Sequence, residues 1–94
     1  MIGLCRKAKR LSAGHDACMS AIIKESAKLC LLLSDASERL KREFEKAATY
    51  NGRQLEVIRL AMSMDELKRI LGFRAGVLTI NDEGFAKKIR ELSV

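Results

Sequence analysis

Leu29-Cys30-Leu31-Leu32-Leu33 sets five apolar residues in succession between Lys28 and the polar pair Ser34-Asp35. Side chains alternate from face to face along a strand, so a run apolar on both faces predicts a central strand covered by helices on either side. Upstream, Ala17, Cys18, Ala21 and Ile22 share one face at helical spacing. That helix is entered through an extended Leu11-Ser12-Ala13, which ends at the turn-forming Gly14. A first helix before it holds Ile2, Cys5 and Ala8. Downstream, Asp35 and Glu38 have capping-box spacing and open a helix with the stripe Leu40, Phe44, Ala47 and Ala48, stopped at Asn51-Gly52. Gln54 to Leu60 resumes as a strand. Ser63-Met64-Asp65-Glu66 is a second capping box, for a helix with Met64, Leu67, Ile70 and Leu71 inward and Gly72 at its end. Val77 to Ile80 is the last strand. Asn81 or Asp82 caps a final helix on Phe85, Ile89 and Leu92, with Lys87, Lys88 and Arg90 on the wet side. This alternation, free of proline, repeat or linker, predicts an α/β sandwich of five helices around a small mixed sheet; the strand order is not readable from it.

A chain of 94 residues leaves room for one domain with one core. No apolar run approaches the roughly 20 residues of a membrane span, and charge follows Cys5 too soon for a signal peptide, so a cytoplasmic chain is expected. Cys5, Cys18 and Cys30 are odd in number and never at CxxC spacing, and read as reduced core residues. The net charge is +6, and cations gather at Arg6-Lys7-Ala8-Lys9-Arg10, ahead of the first acid, Asp16. Such a patch attracts a polyanion, whether nucleic acid or an acidic membrane surface, or is merely a solvated basic face.

Catalysis needs converging nucleophiles, bases or metal ligands. His15 is the only histidine, and adjacent helical positions do not face each other, so His15 and Asp16 are not expected to form a dyad. One histidine with three scattered cysteines fits no zinc spacing, and neither common glycine-rich phosphate loop occurs. No enzyme activity, metal or cofactor is expected. Ser12-Ala13-Gly14-His15-Asp16 instead delivers free backbone amides at a helix N-terminus, where an anion such as an RNA phosphate can sit. Arg6, Lys7, Lys9 and Arg10 precede it immediately. Phe44 and Phe85 fall on core stripes, and Tyr50 and Phe73 fall at helix ends, where packing is favoured over exposure. A structured RNA, recognised by shape and backbone, fits such a surface better than an aromatic stacking platform does.

Gly3-Leu4-Cys5-Arg6-Lys7-Ala8, Leu11-Ser12-Ala13-Gly14, Lys28 through Ser37, and Thr79-Ile80-Asn81-Asp82-Glu83-Gly84-Phe85-Ala86-Lys87-Lys88-Ile89 together resemble, nearly end to end, the bacterial YlxQ-like proteins of the ribosomal L-seven-Ae family. The resemblance implies a three-layer α/β/α sandwich with a four-stranded mixed sheet, RNA binding of the kink-turn type, and neither catalysis nor cofactor. It also implies an RNA surface made of the second helix's N-terminus and the loop before the last strand. Kink-turn binders of the family begin that helix with Gly-x-Asn-Glu-x-x-Lys. Here Gly14 matches, His15 follows, Asp16 replaces Asn, Ala17 replaces Glu and Ser20 replaces Lys. Ionised Asp16 only accepts hydrogen bonds, and Ala17 and Ser20 lack the reach of the residues they replace, so weakened kink-turn recognition is expected. The second contact loop that the resemblance implies is Phe73-Arg74-Ala75-Gly76-Val77. Arg74 there offers a bidentate phosphate contact, and Gly76 either permits close approach of RNA or only makes a tight turn.

The leading expectation is thus a non-enzymatic, monomeric RNA-binding protein associated with ribosomal or other structured RNA, with ribosomal or other proteins as further partners. The alternative is a protein-interaction adaptor on the same scaffold that has lost its RNA contacts. A small hydrolase or transferase is disfavoured by the missing catalytic inventory.

Overall fold

Leu29–Leu32 (β2) is buried along its whole length because it lies inside the sheet rather than at an edge. The computed structural model describes residues 2–92. Its elements run α1 (Ile2–Lys7), β1 (Leu11–Ala13), α2 (His15–Ile23), β2, α3 (Glu38–Thr49), a 3-10 turn at Tyr50–Gly52, β3 (Val57–Arg59), α4 (Met64–Leu71), β4 (Val77–Ile80) and α5 (Glu83–Leu92). The strand order is β1-β4-β2-β3; β4 is antiparallel to both neighbours, and β2 and β3 are parallel. Alternation along the inner strands divides the core in two. Leu29, Leu31 and Leu33, with Leu78 and Ile80, pack against Cys5, Leu67, Leu71, Ala86 and Ile89 from α1, α4 and α5. Cys30, Leu32 and Val77 pack against Cys18, Ile22 and Phe44 from α2 and α3. The molecule is therefore a three-layer α/β/α sandwich with a four-stranded mixed sheet.

Several local expectations are corrected. Helix α1 stops at Lys7 and leaves Ala8 exposed, because Lys9 takes a left-handed backbone (φ 59°) and the Lys9 and Arg10 amides donate back to the Arg6 and Cys5 carbonyls. Asp35 does not cap α3; the Ser37 hydroxyl accepts from the Leu40 amide at 3.1 Å. Asp35 instead accepts from the Met64 amide at 2.9 Å, at the start of α4, where the predicted Ser63/Glu66 box also closes. The strand expected over Gln54–Leu60 shrinks to Val57–Arg59, the residues that pair with β2. Ala17, Ile70 and Leu92, expected inward, are exposed; Ala17 lies in the first turn of α2, ahead of the buried Cys18, Ala21 and Ile22. Asp82 rather than Asn81 caps α5, accepting from the Phe85 amide, while the Asn81 amide group donates to the Ser12 hydroxyl.

Cys5, Cys18 and Cys30 are free buried thiols, and burial pushes Cys18 and Cys30 up to about 12, which keeps them protonated and unreactive. Among the described residues no helix is long and apolar enough to cross a membrane.

Candidate nucleic-acid interface

Two backbone segments distant in sequence meet where the Gly14 amide donates to the Val77 carbonyl at 3.0 Å. Gly14 has φ 90° and open space where a Cβ would stand, so the turn demands glycine for its backbone angle and not for crowding. Helix α2 starts at once, and no side chain among the described residues caps it. Its first-turn amides are left for solvent or an anion, with the positive end of the helix dipole behind them. The antiparallel pairing of β1 with β4 brings the segment before β4 to this terminus.

His15, the first residue of α2, sits between two carboxylates: Nδ1 is 3.1 Å from Asp16 and Nε2 is 2.7 Å from Glu43 of α3. Its ring also meets Phe44 edge-on, at 5.6 Å between centroids. The expectation that His15 and Asp16 would not meet is corrected. The ring turns toward α3, which leaves the other nitrogen facing its sequence neighbour. A neutral imidazole has one N–H, whereas both nitrogens face acceptors here, so the imidazolium is favoured. The bond to Glu43 and then that to Asp16 accordingly raise the His15 pKa above 6.5, and Glu43 is held below the usual carboxylate value mainly by His15. Stability from a raised histidine pKa is fully present below about pH 6.5 and is lost as pH rises through the folded-state value; that from a lowered glutamate is lost as pH falls through its own. The melting-temperature difference between parent and Glu43→Gln should therefore peak in mildly acid solution and shrink above neutrality. The His15 NMR titration midpoint should fall in that variant. An unchanged midpoint would mean that the contact does not persist in solution.

The loop before β4 presents less than expected. Ala75 and Val77 are buried in the two core layers, which leaves only their backbone to a ligand. An added Cβ at Gly76 would lie 2.8 Å from Leu40 Cδ2 and 3.6 Å from Met64 Sδ, so the missing side chain there serves packing under α3 and α4. Arg74 is exposed and its Nε lies 3.3 Å from Asp65. Phe73, expected to pack, is exposed, with the Arg6 guanidinium over its ring at 5.4 Å. Arg6 also donates to the Leu71 carbonyl, so it braces this loop from α1.

Arg39 reaches the α2 terminus through Glu43, at 3.5 Å, but the remaining cations of the 6–10 run do not join it. Lys7, Lys9 and Arg10 are exposed, but the Arg10 carbonyl accepts from Asn81 at the far end of β1, and three strand residues, about 10 Å, separate that end from Gly14. Ser20 lies four residues after Asp16 on α2, half-buried. Sequence reasoning missed Glu43, whose tie to His15 spans 28 positions and leaves no short-range signal.

No family model matches the chain. It is 33% identical over 92 residues to the RNA-binding protein YlxQ of Enterococcus faecium, across 98% of this chain and 86% of that protein. Its fold superposes with a TM-score of 0.86 on a Bacillus halodurans protein of unknown function, at 25% identity over 97% of this chain and 90% of the other. With a Giardia lamblia 15.5kD RNA binding protein the TM-score is 0.71 at 10% identity, over 98% and 78% of the two chains.

Proposed function

The chain belongs to the YlxQ-like proteins of the ribosomal L-seven-Ae family, and from that premise we propose that it is a non-enzymatic, cytoplasmic RNA-binding protein of one domain. It holds structured RNA, ribosomal or other, at the N-terminus of α2 and acts as a monomer. The observation that carries this reading is the Gly14–Val77 junction, which sets the uncapped amides of α2 beside the Arg74 loop. A phosphate at those amides gains hydrogen bonds and the helix dipole together. Asp16 and Glu43 oppose it there, and protonated His15 offsets part of their charge, so RNA affinity falls as pH rises through the raised His15 pKa. Kink-turn recognition is weakened, because Ala17 and Ser20 stand where the family places Glu and Lys.

Lys7, Lys9 and Arg10 contact backbone phosphates away from the α2 terminus, at the other end of β1. Each neutralised phosphate steepens the salt dependence by about 0.7 to 0.9 in log–log slope. Lys9→Ala with Arg10→Ala should therefore flatten the slope by up to about 1.4 to 1.8 and weaken all RNAs alike. Arg74→Ala probes the loop without disturbing the Leu40 packing that any Gly76 substitution would disturb. Titration of these variants against a kink-turn and a plain duplex over a range of salt tests the reading. If neither variant moves RNA affinity at any salt concentration, the proposed surface is wrong.

A further inference from the structure

The layer of α1, α4 and α5 carries a groove of about 830 Å³, floored by Ile2, Leu4, Met62, Ile70, Ile89 and Leu92. Leu4 is 58% exposed, Ile70 44% and Leu92 73%. Single exposed apolar side chains are ordinary, but three that converge on one concavity are not. The charges in the lining are Arg6 and Lys7, with no carboxylate among the described residues. Arg6 and Lys7, both of α1, meet no carboxylate within 4.0 Å among the described residues. An apolar groove with two unneutralised cations along its α1 edge is complementary to an apolar stripe with acids beside it.

We propose that this groove docks an amphipathic helix of a protein partner, with Leu- or Ile-type anchors at i, i+3 or i+4 and i+7 and with Asp and Glu along the side of that stripe that meets Arg6 and Lys7. Helices α1 and α5 have six and ten residues and thus run about 9 and 15 Å, which matches two to three turns of such a helix. A second copy of this chain is the poorer occupant, because a two-fold pairing would set the same cations against each other. RNA is poorer still, since the floor offers its backbone no polar contact.

The probe is a synthetic peptide with Leu at those spacings and Glu elsewhere, compared by fluorescence anisotropy with a counterpart carrying Lys in place of every Glu. The Glu peptide should bind in the micromolar range, at least about tenfold tighter than the Lys peptide. Methyl NMR shifts should concentrate at Leu4, Ile70 and Leu92. Ile70→Glu, at an exposed helical site, should weaken the Glu peptide at least about tenfold while melting and RNA affinity stay unchanged. Lys7→Glu should move the preference toward the Lys peptide. Failure of the Glu peptide to bind, equal binding of both peptides, or shifts that map elsewhere would overturn the proposal. So would a concentration-dependent dimer that Ile70→Glu abolishes, which would assign the groove to a second copy. Loss of RNA affinity in Ile70→Glu at unchanged melting would assign it to RNA and overturn the proposal equally.

Discussion

Ala17→Glu combined with Ser20→Lys should raise affinity for a kink-turn by roughly tenfold or more over a control duplex that lacks the G·A pairs, measured at one salt concentration. A good hydrogen-bonding pair to a base edge contributes about 1–3 kcal/mol of discrimination, and the parent has only a methyl group and a short hydroxyl at these positions. Ala17 is exposed and Ser20 half-buried, so neither change opens the core. The lysine would also stand four residues after Asp16 and three after the new glutamate, spacings that favour oppositely charged pairs on a helix. The parent should separate the two RNAs poorly, since phosphate contacts carry no base information. A parent that already prefers the kink-turn by several orders of magnitude would show that other residues do the reading.

Phe44→Ala should cost about 3–5 kcal/mol and lower the melting temperature by more than about 12 °C. Phe44 is fully buried and is the largest side chain of the layer under α2 and α3, where Cys18, Ile22, Cys30 and Leu32 surround it. No smaller neighbour fills its volume without moving a strand. Because His15 rests edge-on against the ring, its NMR resonances should shift in the same variant. A loss below about 1 kcal/mol would mean that this layer repacks freely, contrary to the close fit described.

The layers were readable in the sequence because the Leu29–Leu33 run is apolar at both parities, and only a strand with helices on both sides accommodates that. Caps were readable where side chain and backbone agree, as at Ser63 and Glu66, and misread where two polar residues compete. Asp35 has the spacing to cap α3, yet Ser37 does so, and Asp35 serves a helix 29 residues away. Gly14 was readable as a turn because only its backbone angle matters. The bare Cα of Gly76 has its reason in Leu40, a tertiary neighbour. At the candidate site the sequence offered one run of cations beside one helix start, and β1 separates them. The Gly14–Val77 bond, the His15–Glu43 contact and the Arg6–Phe73 stack all join positions too far apart for any local pattern to announce.

Strand β1 pairs with β4 alone. During translation Leu11–Ala13 therefore has no strand partner until Val77 to Ile80 have been made, whereas β2 and β3 can associate well before that. Contacts of such long sequence separation are expected to form late, after the entropy of closing the intervening loop has been met. A nascent or truncated chain that stops short of Val77 has no acceptor for the Gly14 amide, and the geometry at the start of α2 is then left unfixed. The proposed anion site thus requires the chain as far as Val77, and fragments that stop short of it should not compete with the longer chain for RNA.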